Sequence, residues 1–273
     1  MITFPNAKIN LGLNIVSRRP DGYHNIETVF YPIPLSDSLE IVPAEGSEST
    51  LTCYGRVVDC PTEKNLVMKA YRMMEKEFGL PPVDIYLVKH IPDGAGLGGG
   101  SSDASFCMKM LNDMFKLGCT AEQLAKMASK IGADCPFFIH NKPMMATGIG
   151  DEFTPTDVCL KGKHMLLVKP DVSVPTKAAY AQVTPAPSVK PIPEILSDGM
   201  ENWQKELVND FEKSVFAQYP SLAEIKRTLL ESGASYAAMS GSGSSIFGIF
   251  SCAEMAEKAA DNFKEYSHFV IQL

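Results

Sequence analysis

Pro92-Asp93-Gly94-Ala95-Gly96-Leu97-Gly98-Gly99-Gly100-Ser101-Ser102-Asp103 places five glycines in the seven positions 94–100. Alternating apolar residues at 83–91 lead into it, and a helical pattern with Phe106, Met110, Leu111 and Met114 on one side leaves it. Glycine lets a backbone turn its N–H groups inward and lets a ligand approach closely. A helix start adds unpaired donors and a partial positive charge, so phosphate is the natural guest of such a loop. Ser101 and Ser102 stand where they can cap the helix or offer hydroxyls to a metal-bound nucleotide. The common phosphate loops do not fit. No Lys follows the glycines, as a Walker loop requires. Gly94-x-Gly96-x-x-Gly99 matches the dinucleotide fingerprint formally, but the acidic residue at about the right distance, Glu122, falls in a helical turn. No Val-Ala-Ile-Lys strand follows, as it does in protein kinases.

Outward from the loop, period distinguishes strand from helix. Ile9, Leu11, Leu13 and Ile15 alternate with Lys8, Asn10, Gly12 and Asn14, which reads as a strand with one apolar face. Pro20-Asp21-Gly22 reads as a turn, and 26–33, 39–42 and 51–54 as further strands. Leu66, Ala70, Met73, Met74 and Phe78 form a helical stripe stopped by Gly79 and Pro81. Thr120-x-x-Gln123 opens a helix ending at Gly132, and Ser221-x-x-Glu224 and Ser251-x-x-Glu254 read as two more capping boxes. Strands are expected at 165–169, 236–239, 246–250 and 268–273. Pro185, Pro187, Pro191 and Pro193 between them argue for an irregular surface excursion. Strands and helices mixed in this way predict an α+β chain in two domains, drawn at 1–155 and 156–273.

The 273 residues are 45% apolar and 21% charged, enough for a proper core. A net charge of −7 argues against a nucleic-acid partner and against an anionic membrane. No run of about 18 apolar residues is present to span a bilayer. Any phosphate-rich ligand must therefore be held by locally concentrated N–H groups, Lys and metal. The seven cysteines contain no C-x-x-C and the five histidines no H-E-x-x-H, so no metal ligands are assigned. Reduced thiols and the lack of a charged leader segment point to a cytoplasmic protein.

Two other segments carry polar residues in company with glycine. Met239-Ser240-Gly241-Ser242-Gly243-Ser244-Ser245 reads equally as a hairpin bend or a ligand loop. Gly132-Ala133-Asp134-Cys135-Pro136-Phe137-Phe138 sets a carboxylate between a helix stop and an apolar run, where Asp134 alone reads first as a cap or turn residue.

Taken together, Pro5-Asn6-Ala7-Lys8-Ile9-Asn10, the loop at 92–102 and the loop at 239–245 resemble, in that order, the three motifs of the galactokinase, homoserine kinase, mevalonate kinase and phosphomevalonate kinase superfamily. Arg19-Pro20-Asp21-Gly22-Tyr23-His24 and Leu207-Val208-Asn209-Asp210-Phe211 are similar to one branch of it, whose members phosphorylate a cytidine diphosphate-linked methylerythritol on the non-mevalonate route to isoprenoid precursors. The resemblance implies an ATP- and Mg²⁺-dependent kinase of a small-molecule alcohol. It implies an N-terminal domain like the second domain of ribosomal protein S5 and a C-terminal ferredoxin-like α/β sandwich. By motif match Asp134 is the expected catalytic base and Lys8 its partner. Pro92, Asp93, Gly94, Ala95, Gly96, Leu97, Gly98, Gly99, Gly100, Ser101 and Ser102 would wrap the ATP phosphates, with Asn65 and Lys89 near the adenine. Tyr23 and His24 would hold the cytosine, Asn10 the methylerythritol, and Tyr180, Gly241 and Gly243 would complete the substrate site. Asp93 departs from the family, which has a neutral residue there. Two other readings compete: a kinase of another small alcohol, and a non-catalytic nucleotide- or RNA-binding module.

Overall fold

The computed structural model describes residues 1–57 and 60–273. In chain order its elements are β1 (Ile2–Thr3), β2 (Asn6–Arg18), β3 (His24–Ser36), β4 (Ser38–Pro43), β5 (Thr50–Gly55), α1 (Leu66–Phe78), β6 (Val83–Lys89) and α2 (Gly99–Met114). Then come α3 (Ala121–Ala128), α4 (Cys135–His140), β7 (Met144–Thr147), β8 (Glu152–Pro155), β9 (His164–Lys169), α5 (Thr176–Ala181), α6 (Ile192–Ser197) and α7 (Met200–Glu206). The chain closes with α8 (Phe211–Gln218), α9 (Pro220–Glu231), β10 (Tyr236–Met239), β11 (Ile246–Phe250), α10 (Ala253–Ala260) and β12 (Ser267–Gln272). They form two compact units that interleave along the chain. One holds Met1–Ala7, Leu35–Asp93 and Gly98–Lys142; the other holds Lys8–Pro34, Gly94–Leu97 and Pro143–Leu273.

The first unit is built on the sheet β1-β4-β6-β5, with β4 antiparallel and β5 parallel to β6. Ile41, Ile85 and Leu87 of this sheet share a buried cluster with Tyr71 and Met74 of α1 and Leu111 of α2. Helix α1 starts where the Asn65 side chain accepts from Val67 N–H, and it stops at Gly79 with φ 66°. The capping box expected at Thr120 is present in full.

The second unit contains two sheets, β2-β3-β7-β8 and β10-β11-β9-β12. The latter is fully antiparallel, and its chain order places the first of its strands between the third and the fourth. With helices between β9 and β10 and between β11 and β12, this is the βαββαβ, ferredoxin-like arrangement the resemblance implied.

Several local expectations change. Strand β2 is buried on both faces from Ala7 to Leu13, so its polar face is not a solvent face. Phe78 is the last residue of α1 and is exposed, while Val67 and Tyr71 fill the core instead. Pro191 and Pro193 begin α6, because proline suits a first helical turn. Ser221 lies inside α9, which starts at Pro220, and Cys252 rather than Ser251 is the residue ahead of α10; neither serine caps its helix. Helix α3 ends at Ala128, and turn residues fill the distance to Gly132.

Candidate active site

In the second unit, β2 carries Lys8 and Asn10 two residues apart on one face. Lys8 is 3% exposed and Asn10 2%. The Lys8 ammonium donates to Asn10 Oδ1 at 2.7 Å and lies 4.7 Å from the centre of the Phe30 ring. Asn10 Nδ2 donates to Thr28 Oγ1 at 2.9 Å, and the Thr28 hydroxyl in turn donates to the Gly12 carbonyl. This chain orients the amide so that its oxygen faces the ammonium, which a buried cation needs.

Both glycine loops reach this cluster. The Leu97 carbonyl accepts from Lys8 N–H at 3.0 Å, and the Gly96 carbonyl accepts from Ser240 Oγ at 2.9 Å. Ser240 approaches so closely that a Cβ on Gly96 would lie 1.9 Å from its carbonyl oxygen, which is why only glycine fits there. A Cβ on Gly241 would come within 3.4 Å of Asn10 Oδ1, whereas Gly243 donates its N–H to the Ser240 carbonyl and closes the turn. Asn209 Nδ2 donates to the carbonyls of Met239 and Gly241, and Asp210 accepts from Ile15 N–H. The 207–211 motif thus ties β2 to the second loop. Sequence alone marks no role for Thr28, Ser240 or Asn209; the local signals are the serine-rich turn and the Asn-Asp pair.

Tyr23, His24 and Tyr180 are also in this unit. Tyr23 is 60% exposed on the turn that Asp21 braces through Arg19 and the Tyr23 N–H. His24 stacks on Tyr180 with ring centres 4.9 Å apart, and Tyr180 meets Phe211 edge-on. Tyr180 therefore shares an aromatic patch with His24.

In the first unit, Asn65, Lys89, Asp93 and Gly100 line one pocket of about 170 Å³ together with Lys64 and Asp103. Asp93 is exposed at its edge. The Lys89 ammonium is buried between two carboxylates, Asp37 and Asp103, the latter at 2.7 Å. Their charges lift its pKa above the usual lysine value although burial, the largest influence, opposes them. Burial, set against Lys89, pushes the Asp103 carboxyl up to about 7. Gly98, with φ 70°, precedes α2 without a side-chain cap, so neither Ser101 nor Ser102 caps that helix. Ser102 Oγ is fully buried and has no hydrogen-bond partner among the described residues. Asp134 is half-buried at the residue before α4, and its side chain makes no capping bond, so the cap reading does not hold. Among the described residues no three His, Cys, Asp or Glu side chains converge as a metal site.

The description "GHMP kinases N terminal domain" matches residues 65–142 and "GHMP kinases C terminal" residues 190–268. Fold, loops and these matches define a kinase of the GHMP class, an ATP-dependent enzyme. The 4-diphosphocytidyl-2-C-methyl-D-erythritol kinase of Bacteroides fragilis is 56% identical over 94% of this chain and 95% of that protein. The protein of the same name from Parabacteroides distasonis is 54% identical over 98% and 96%. A crystal structure of 4-(cytidine 5'-diphospho)-2C-methyl-D-erythritol kinase superposes with a TM-score of 0.85 at 31% identity, covering 99% of this chain and 98% of that one. The mevalonate kinase of Methanococcus jannaschii shares the fold, with a TM-score of 0.74 at 14% identity over 100% and 98%. The chain belongs to the 4-diphosphocytidyl-2-C-methyl-D-erythritol kinase family.

Proposed function

We propose that this kinase transfers the γ-phosphoryl group of ATP to the 2-hydroxyl of 4-diphosphocytidyl-2-C-methyl-D-erythritol. The observation that carries the reading is 56% identity to a kinase of that name across 94% of the chain. The aromatic patch of His24 and Tyr180, with exposed Tyr23 nearby in sequence, suits a cytosine ring better than it suits homoserine or mevalonate, which have no base to stack.

In this reading Asp134 accepts the proton of the tertiary alcohol as the oxygen attacks phosphorus. Lys8 steadies the developing negative charge, and Asn10 fixes the ammonium against Phe30. Phosphoryl transfer asks the protein chiefly for positioning and charge stabilisation. The loop at 92–102 and the start of α2 supply N–H groups for the phosphates, and the pocket beside Asn65 and Lys89 takes the adenine. Mg²⁺ fits these residues: Ser102 offers a buried hydroxyl without another partner among the described residues, and Asp93 lies exposed at the edge of the neighbouring pocket, as suits an ion carried largely by the nucleotide phosphates. The ion would neutralise charge on the transferring phosphoryl group. Seven unpaired cysteines suit a cytoplasmic setting.

A coupled assay of ADP release tests the substrate. Turnover should depend on the cytidylylated methylerythritol; equal or faster turnover with homoserine or mevalonate would overturn the reading.

A further inference from the structure

Three buried charges sit at the foot of the first glycine loop, and two of them, Lys89 and Asp103, border the pocket proposed for the adenine. Asp37, just ahead of β4, accepts through Oδ1 from the N–H groups of His90 and Ile91, the residues that lead into the loop. Its other oxygen pairs with Lys89 at the end of β6. Lys89 also pairs with Asp103, in the second turn of α2, where the loop ends. A Cβ on Gly99 would lie 3.3 Å from Lys89 Nζ, so the ammonium is packed directly against the first residue of that helix. All three side chains are at most 6% exposed.

We propose that Asp37, Lys89 and Asp103 form a buried clasp joining the two ends of the glycine loop, which makes Asp37 and Asp103 positioning residues for nucleotide binding. This rests on the reading that the loop holds the ATP phosphates. Asp37 takes hold of the leading end through two backbone bonds, Asp103 belongs to the trailing end, and Lys89 joins them. The cluster is not built for stability. It buries two carboxylates for one ammonium, and Asp103 Oδ1 has no hydrogen-bond partner among the described residues. One neutral pair would suffice to bury Lys89, and an excess buried charge costs stability. The ionisable groups that interact with Asp103 are Lys89 of β6, Asp37 before β4, Cys53 of β5 and Cys107 one turn along α2. None of them but Lys89 offers it a positive charge.

The clasp separates stability from nucleotide affinity, and Asp103→Leu tests that separation. The substitution leaves Lys89 paired with Asp37 and removes the excess carboxylate, so Tm at pH 8 should hold or rise. Freed from Lys89, the trailing end of the loop should shift, raising the KM for ATP about tenfold while the KM for the alcohol stays within about twofold. Asp103→Asn keeps an acceptor for Lys89 and should recover most of the ATP affinity. Amide exchange at His90 and Ile91 should quicken in Asp37→Ala. The loop itself is tested separately by Gly100→Val, read by direct titration of ATP. If Gly100→Val weakens ATP binding while folded Asp103→Leu does not, the clasp is overturned and the loop reading stands. If Gly100→Val leaves ATP binding untouched, both fall. A Tm that drops in step with both KM values would make Asp103 a merely structural residue and would also overturn the proposal.

Discussion

A buried ammonium requires acceptors, and Lys8 meets an amide oxygen at 2.7 Å and an aromatic face at 4.7 Å. That arrangement holds the charge in place for chemistry. Lys8→Met should lower kcat by about 10²-fold or more, with ATP binding intact by calorimetry. Asp134→Asn keeps the shape of the side chain and removes the base, so its kcat should fall by roughly 10²–10⁴-fold. The double variant should be little worse than either single one, because groups acting as a unit are not additive. An Asp134→Asn enzyme with most of its kcat would demote the carboxylate to a turn residue. Base recognition is tested at Tyr23 and Tyr180: replacing either by Ala should raise the KM for the cytidylylated substrate, stacking on a base being worth about 1–3 kcal/mol. The KM for ATP should hardly move. Of these residues Lys8, Asn10, Tyr23, His24 and Asp134 were legible as motif positions. The burial of Lys8 and Asn10 was not. Alternation marked Lys8 and Asn10 as the polar side of a strand, and nothing nearby in sequence announces that Thr28 and Ser240 cover that side.

At the level of elements, the glycine loop has positions of two kinds. Gly96 presses on the Ser240 carbonyl, so Gly96→Ala should lower Tm sharply. At Gly100 an added Cβ meets only Leu66 Cδ1, at 3.6 Å, beside the pocket, so Gly100→Val should fold and weaken ATP binding instead. Calorimetric melting and nucleotide titration on the same two variants distinguish them. The buried carboxyl of Asp103 gives a pH signature of defined sign. Its pKa rises on folding to about 7, so between the ordinary carboxylate range and pH 7 the folded state holds a proton that the unfolded state has lost. Its contribution to stability therefore falls as pH rises through that window. Asp103→Leu should raise Tm more at pH 8 than at pH 5, and the reverse order would contradict the burial of that carboxyl. Strand β6 was legible because its burial follows its period, whereas β2 alternates in sequence but is buried on both faces. The prolines at 191 and 193 and the capping boxes at Ser221 and Ser251 misled because the same residues serve a first helical turn or an exposed loop equally well. The clasp was illegible, since it joins residues 52 and 14 positions apart with no shared motif.

The whole molecule carries a net charge of −7, yet the proposed reaction joins a nucleoside triphosphate to an alcohol that itself bears a diphosphate. Attraction must be local, from Lys8, from loop N–H groups and from a helix start, rather than from the overall field. The central claim is the transfer of one phosphoryl group to a tertiary hydroxyl, and the chemistry of that position supplies its own test. The carbon that bears the 2-hydroxyl carries no hydrogen, so a phosphate placed there has no three-bond proton partner. Proton-coupled ³¹P spectra of the product should show one new phosphomonoester line as a singlet, appearing in equal amount with ADP and dependent on the cytidylylated substrate. A doublet or triplet would place the phosphate on a carbon bearing hydrogen, and an absent monoester line with ADP still accumulating would mean hydrolysis rather than transfer; either result would contradict the assignment.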